Sequence, residues 1–394
     1  MQNIDLNAFK NEKCALVLSG GVIKAAAWHL GVALALDDMG FTLKSNSSVK
    51  NPELEIGTYV GSSAGSLINL YFAAGYRPID VIDSTLNRNS KKLKTLSYKD
   101  ILSLREKSTR PPRPGFYNPF ENFPFLVRKI LEPTLKMSGL FTTKGLYDYI
   151  HKNITGDNPF EAYDADMFVV ATQLDHSRKV IFSKYNYPNP NHDSTSAYYT
   201  GIDVADAVAA SMSVPPFYSP FPIKNPHTEQ TDYFIDGEIR ETLSTHVARD
   251  HNCKYVISSW THTPYHYHDE IGSLVNYGLP AICVQSIYLM IQKKIVASRA
   301  KIQSSRDIIS TVDDYMRTHK FPAIHRKKIN SILERKLAYD KNKVYIDIYP
   351  KHDNYNVFFS NAFSLNPKVT AATVKSGYNR TVEVFESQEW LNKD

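Results

Sequence analysis

The 394-residue sequence predicts an α/β fold with a mainly parallel sheet covered by helices, and three observations carry that prediction. A continuous apolar run, Cys14-Ala15-Leu16-Val17-Leu18, breaks at Ser19-Gly20-Gly21 and gives way to apolar residues at helical spacing over 24–39. A second extended run, 54–60, breaks at Gly61-Ser62-Ser63-Ala64-Gly65 and gives way to another helical pattern, 66–75. Two strand–turn–helix units in succession mark parallel strands joined through covering helices. Apolar residues make up 42% of the chain, enough for a large core.

The elements follow in order. The first strand is apolar without alternation, as expected of a strand buried on both faces. In the helix over 24–39, Ala26, Leu30, Ala33 and Leu34 form the apolar stripe and Gly40 closes it. Two further strands, 167–171 and 179–182, flank a polar turn from Asp175 to Arg178. A small-residue helix over 203–212 stops at Val214-Pro215-Pro216, because proline cannot continue it. A strand over 233–235 ends at Asp236-Gly237, and another covers 254–258. A long helix over 281–319, a strand over 343–348 and a helix over 368–385 close the chain. The expected organisation is one domain, 1–394, with its core motifs in 12–260 and an extension, 261–394, that completes the fold.

Two segments need separate treatment. Residues 271–292 carry no charge and are long enough to span a bilayer. Asn276, Gly278, Pro280, Gln285 and Gln292 are costly or disruptive there, so a buried helix starting near Pro280 is expected instead. Residues 86–140 read as a basic, aromatic insertion of helical and irregular structure. Within it, 88–136 hold twelve Lys/Arg against four Asp/Glu, and Arg110-Pro111-Pro112-Arg113-Pro114-Gly115 excludes regular structure. Phe116, Tyr117, Phe120, Phe123 and Phe125 either face a lipid surface as a lid or cap, or pack down on the domain.

A formal charge of +6 and a pI near 8.9 suit contact with an anionic membrane face. The chain holds no nucleic-acid motif. Three cysteines, Cys14, Cys253 and Cys283, form neither a disulfide framework nor a C-x-x-C metal pair. The reading is a cytoplasmic protein in a reducing compartment, peripheral to membrane, with no metal and no cofactor. Residues 1–13 lack the apolar core of a signal peptide.

The chemistry centres on Gly61-Ser62-Ser63-Ala64-Gly65. A G-x-S-x-G pentapeptide between strand and helix is a nucleophile elbow, a sharp turn that lifts one serine hydroxyl out of the sheet. Ser63 is that serine. A serine needs a base and a place for negative charge to develop. Gly20 and Gly21, between strand and helix, can supply amides for the charge, aided by the helix N-terminus. A nucleotide-phosphate turn fits less well, because Val22 and Ala25 stand where a dinucleotide fingerprint needs glycine. For the base, His246, His251, His262, His266 and His268 lie downstream and leave a Ser–Asp–His triad open. Asp236 is the stronger candidate, since it ends a strand at the sheet edge where sites gather.

Taken together these residues resemble the patatin-like phospholipase family. Ser19-Gly20-Gly21-Val22-Ile23-Lys24 is similar to its oxyanion loop, and Gly61 to Gly65 to its nucleophile motif. Val170-Ala171-Thr172-Gln173-Leu174 resembles a recurring family strand, and Ala207 to Pro216, with Ser211, the segment before the acid. Asp236-Gly237 resembles the acid motif itself. The resemblance implies a three-layer α/β/α sandwich and hydrolysis of phospholipid or other lipid esters by a Ser–Asp dyad, without histidine or metal. It implies Ser63 as nucleophile, Asp236 as base, the amides of Gly20, Gly21 and Val22 as oxyanion hole, and Lys24 as loop anchor or phosphate ligand. Three departures stand out. Val22 and Ala25 replace glycines, Lys24 stands where arginine is common, and Glu238 stands where Gly or Ala is usual. They leave a decayed lipid- or partner-binding module as the other reading.

Overall fold

The computed structural model of the chain describes residues 4–46, 51–87, 92–104, 120, 122–131, 137–187, 196–225 and 228–388. In chain order the strands are β1 (Cys14–Leu18), β2 (Thr42–Leu43), β3 (Glu55–Ser62), β4 (Ser103–Leu104), β5 (Phe141–Thr142), β6 (Asp166–Gln173), β7 (Arg178–Phe182), β8 (Ser196–Tyr199), β9 (Phe221–Lys224), β10 (Thr231–Asp236), β11 (Tyr255–Ser259) and β12 (Val344–Ile348). The helices are α1 (Val22–Met39), α2 (Ala64–Ala73), α3 (Pro78–Asn87), α4 (Tyr98–Ile101), α5 (Phe125–Leu131), α6 (Lys144–Ile150), α7 (Val204–Ser211), α8 (Thr245–Asp250), α9 (Gly278–Thr318), α10 (Ala323–Leu337), α11 (Tyr355–Phe359) and α12 (Pro367–Ser387).

The main sheet runs β12-β11-β1-β3-β6-β10-β9. From β12 to β6 every neighbouring pair is parallel, as the two strand–turn–helix units predict. The antiparallel pairs lie at the β6 end, where β7, β10 and β9 join. β1 sits in mid-sheet and is buried along its whole length. Its residues alternate between two cores. Leu16 and Leu18 join Trp28 of α1, Leu67 of α2, Val208 of α7 and Phe385 of α12. Ala15 and Val17 join Val247 of α8 and Ile291 and Ile295 of α9. Helices therefore cover both faces, and the fold is an α/β/α sandwich. The C-terminal residues contribute to sheet and core, since β12 pairs with β11 and Val374 and Phe385 of α12 lie in the same core as α1.

One expectation fails. The helix that starts near Pro280 is not buried. Up to Val296, α9 buries a narrow stripe, Tyr288, Ile291 and Ile295, while Leu279, Ile282, Leu289, Met290 and Val296 are exposed; further on, Arg299 pairs with Asp347 of β12. Its apolar composition suggested burial, but only residues three and four apart share a face, so a single stripe suffices to dock it. By length and composition this helix could also cross a membrane. In the 86–140 segment, Phe116 and Tyr117 lie outside the described residues, whereas Phe123 and Phe125 are exposed.

Candidate active site

The strand registers explain how residues 63 and 236 meet. β3 pairs with β6 up to Ser62 opposite Val170. β7 occupies the other edge of β6, opposite Val169 to Gln173. β10 therefore shares an edge with β3, enters from the opposite direction, and ends with Asp236 opposite Ala171. The two strands meet end to end along β6, one residue apart in register. Asp236 thus reaches the carboxyl edge of the parallel strands on a strand that runs against them.

Ser63 sits in the sharp turn between β3 and α2 with φ 50° and ψ −126°. Such a backbone is sparsely populated and persists only when its surroundings over-determine it. They do so here. A side chain on Gly61 would meet the Ser66 backbone at 2.5 Å, and one on Gly65 the Leu18 carbonyl at 2.2 Å, so strand and helix close around the turn. The Ser63 amide donates to Ser211 Oγ at 2.7 Å, and that hydroxyl donates to the Val170 carbonyl at 2.6 Å. The Ser66 hydroxyl donates to the Ser63 carbonyl at 2.6 Å.

The Ser63 hydroxyl faces the Asp236 carboxylate, and Asp236 Oδ1 accepts the Glu238 amide at 2.8 Å. Both side chains are buried, at 3% and 2% exposure. Burial pushes the Asp236 carboxyl up to about 6, and the nearby Ser63 hydroxyl and the Glu238 amide oppose that rise. The Asp236 amide donates to the Ser213 carbonyl, and Thr172 Oγ1 to the Asp236 carbonyl, both at 3.0 Å, so the acid has a rigid mount. Most candidate histidines are engaged elsewhere: His246 bonds Lys179 and Glu241, His251 bonds Asp166 and Tyr187, and His266 and His268 pack on His352 and Tyr355. His262 packs against Tyr288 beside the glycine loop, its Nε2 3.3 Å from where a side chain on Gly21 would begin.

The glycine-rich loop lies over Ser63. A side chain on Gly20 would stand 3.2 Å from Ser63 Oγ. Of the three amides expected to face the charge, that of Gly20 donates to Glu238 Oε1 at 2.8 Å. Among the described residues the Gly21 and Val22 amides make no hydrogen bond and are the free donors. Val22 holds φ 58°, the conformation its glycine counterpart would adopt without strain. Lys24 is buried and turned away from solvent. Its ammonium donates to Tyr288 Oη at 2.6 Å and to the Val357 carbonyl at 3.1 Å. That geometry fits an anchor for the loop rather than a phosphate ligand.

A narrow apolar cavity of about 70 Å³ runs from Ser63 between α1 and α2, walled by Val22, Leu30, Leu67, Tyr71, Leu146 and Met212. No group of side chains that could hold a metal ion occurs among the described residues. Sequence reasoning missed three residues here. Ser211 was visible only as part of a segment, Tyr288 lay inside an apolar helix, and Glu238 was visible as a departure without a partner.

Residues 16–249 match the family described as Patatin-like phospholipase. No curated protein matches the chain. Among solved structures it is similar to VipD from Legionella pneumophila, at 16% identity and a TM-score of 0.38, over 95% of this chain and 67% of that one. The family match spans more than half of the sequence, including the glycine loop, the elbow serine and the strand-end aspartate, and the chain therefore belongs to the patatin-like phospholipases.

Proposed function

We propose that the protein is a lipid acyl hydrolase, of phospholipase A or lysophospholipase type, that works through an acyl-serine on Ser63. The observation that carries this reading is the Ser63 hydroxyl facing the buried Asp236 carboxylate beside two unengaged amides. In the forward step Ser63 Oγ adds to the ester carbonyl while its proton passes to Asp236. The Gly21 and Val22 amides receive the oxygen that becomes negative; such donors typically contribute about 3–4 kcal/mol each to the transition state. The carbonyl re-forms, the ester C–O bond breaks, and the proton on Asp236 goes to the leaving alkoxide. Water then adds to the acyl-serine and gives its proton to Asp236; the bond to Ser63 Oγ breaks, that oxygen takes the proton back, and the fatty acid leaves. The apolar cavity beside Ser63 suits an acyl chain. Lys24 serves as loop anchor. The enzyme acts in the cytoplasm, in transient contact with a membrane surface.

The test is hydrolysis of a panel of phospholipids and lysophospholipids by wild type, Ser63→Ala and Asp236→Asn. Wild type releases fatty acid from at least one class, and both variants lose that release. Release by Ser63→Ala at the wild-type rate would refute the reading.

A further inference from the structure

Glu238 occupies a position that the acyl-transfer scheme does not use. Asp236 Oδ1 accepts the Glu238 amide, which turns the chain so that both carboxyls point into the site. Glu238 Cγ and Ser63 Cβ each lie 2.7 Å from where a side chain on Gly20 would begin. Gly20 is thus clasped between the nucleophile and Glu238, and Glu238 Oε1 accepts its amide at 2.8 Å. The loop that follows carries strain at Val22 and presents the two free amides. Its ends are fixed by the Ser19 amide on the Ser259 carbonyl and by Lys24 on Tyr288 and Val357. Between those ends, among the described residues, Glu238 is the one side chain that fixes an amide of the loop.

We propose that Glu238 is a positioning residue for the acyl-transfer reaction, latching the Gly20 amide so that the Gly21 and Val22 amides face the oxygen that becomes charged when Ser63 adds to the ester. The latch rests on the acyl-hydrolase reading above. Its chemistry is that of a neutral carboxyl. The groups that face it are the Asp236 carboxylate, the Gly20 amide and the hydroxyls of Ser62 and Thr242, and no cation pairs with it among the described residues. Burial, and then the Asp236 charge, push it up to about 8. A neutral carboxyl offers a carbonyl oxygen to Gly20 and adds no negative charge beside the forming oxyanion. An ionised one would repel that oxyanion.

The test compares full-length wild type, Glu238→Ala and Glu238→Gln by fluorophosphonate labelling of Ser63 and by kcat and KM on a soluble p-nitrophenyl ester from pH 5 to 9.5. Glu238→Ala loses the latch, so kcat falls about tenfold or more with KM nearly unchanged. Glu238→Gln keeps an amide oxygen for Gly20, so kcat stays within about threefold of wild type. The glutamine cannot ionise, so the wild-type decline above pH 8 disappears in that variant. Thermal melts establish folding; if Glu238→Ala does not fold, the alkaline limb of Glu238→Gln decides alone. The latch is overturned by a Glu238→Ala rate equal to or above wild type, by a glutamine variant as slow as the alanine one, or by an alkaline limb unchanged in Glu238→Gln. A wild type that neither labels at Ser63 nor cleaves any ester overturns the acyl-hydrolase reading itself, which labelling of wild type and both variants alike leaves standing.

Discussion

A serine whose base is a buried carboxylate inherits the titration of that carboxylate. Asp236 accepts a proton only when ionised, and its carboxyl is pushed up to about 6. Activity on a soluble ester should therefore rise with pH through a midpoint near 6, and Asp236→Asn should be flat and slower by roughly 10²–10⁴-fold. Stability runs the other way. Asp236 and Glu238 both titrate higher in the fold than in the open chain, at about 6 and about 8. Their contribution to stability is complete at low pH and is lost as pH climbs through those values. The wild-type Tm should fall between about pH 4 and 8, and Glu238→Gln should fall less; parallel melts over that range check it. Val22 supplies a second residue-level expectation. A β-branched residue at φ 58° costs roughly 1–3 kcal/mol, and glycine costs roughly 0.5–1 kcal/mol in chain entropy. Val22→Gly should thus raise stability by about 1 kcal/mol, read by urea unfolding.

The elbow depends on struts from other elements. Ser211 of α7 links the Ser63 amide to the Val170 carbonyl, and α7 itself packs in the core. Ser211→Ala leaves a buried amide unpaired, which costs about 1–3 kcal/mol. The same change frees the backbone at Ser63, so kcat should drop by more than KM moves; unfolding and steady-state kinetics on the one variant measure both. What the sequence revealed and what it hid divide along this line. The strand–turn–helix units over β1–α1 and β3–α2 were legible because apolar period and glycine punctuation are local. Ser63 and Asp236 were legible for the same reason, each at the end of a short apolar run. Their meeting was not, because it depends on β10 sharing the β3 edge of β6, a register that no local pattern encodes. Ser211, Tyr288 and Glu238 act across 148, 264 and 218 residues, and separations of that size leave no periodic trace.

At the scale of the whole molecule the unusual feature is α9. The first part of the helix rests on the body through Tyr288, Ile291 and Ile295, and Tyr288 holds Lys24 and with it the glycine loop. Its opposite side shows Leu279, Leu289, Met290 and Val296 to solvent. A protein rarely exposes such a run without a use for it. On the acyl-hydrolase reading proposed above the substrate would sit in a bilayer, and the charge of +6 favours an anionic surface. Each apolar side chain removed from water contributes about 1.5–3 kcal/mol, so three acting together exceed what weak surface binding requires. A triple variant, Leu279→Glu, Leu289→Glu and Met290→Glu, should bind vesicles of anionic phospholipid at least tenfold more weakly in sedimentation. Its hydrolysis of vesicle lipid should fall in step, while cleavage of a soluble short-chain ester stays at the wild-type rate, since none of the three residues lines the cavity. Equal sedimentation of variant and wild type would place the membrane contact elsewhere, and a parallel loss of soluble-ester cleavage would show instead that α9 supports the loop through Tyr288 as a structural brace.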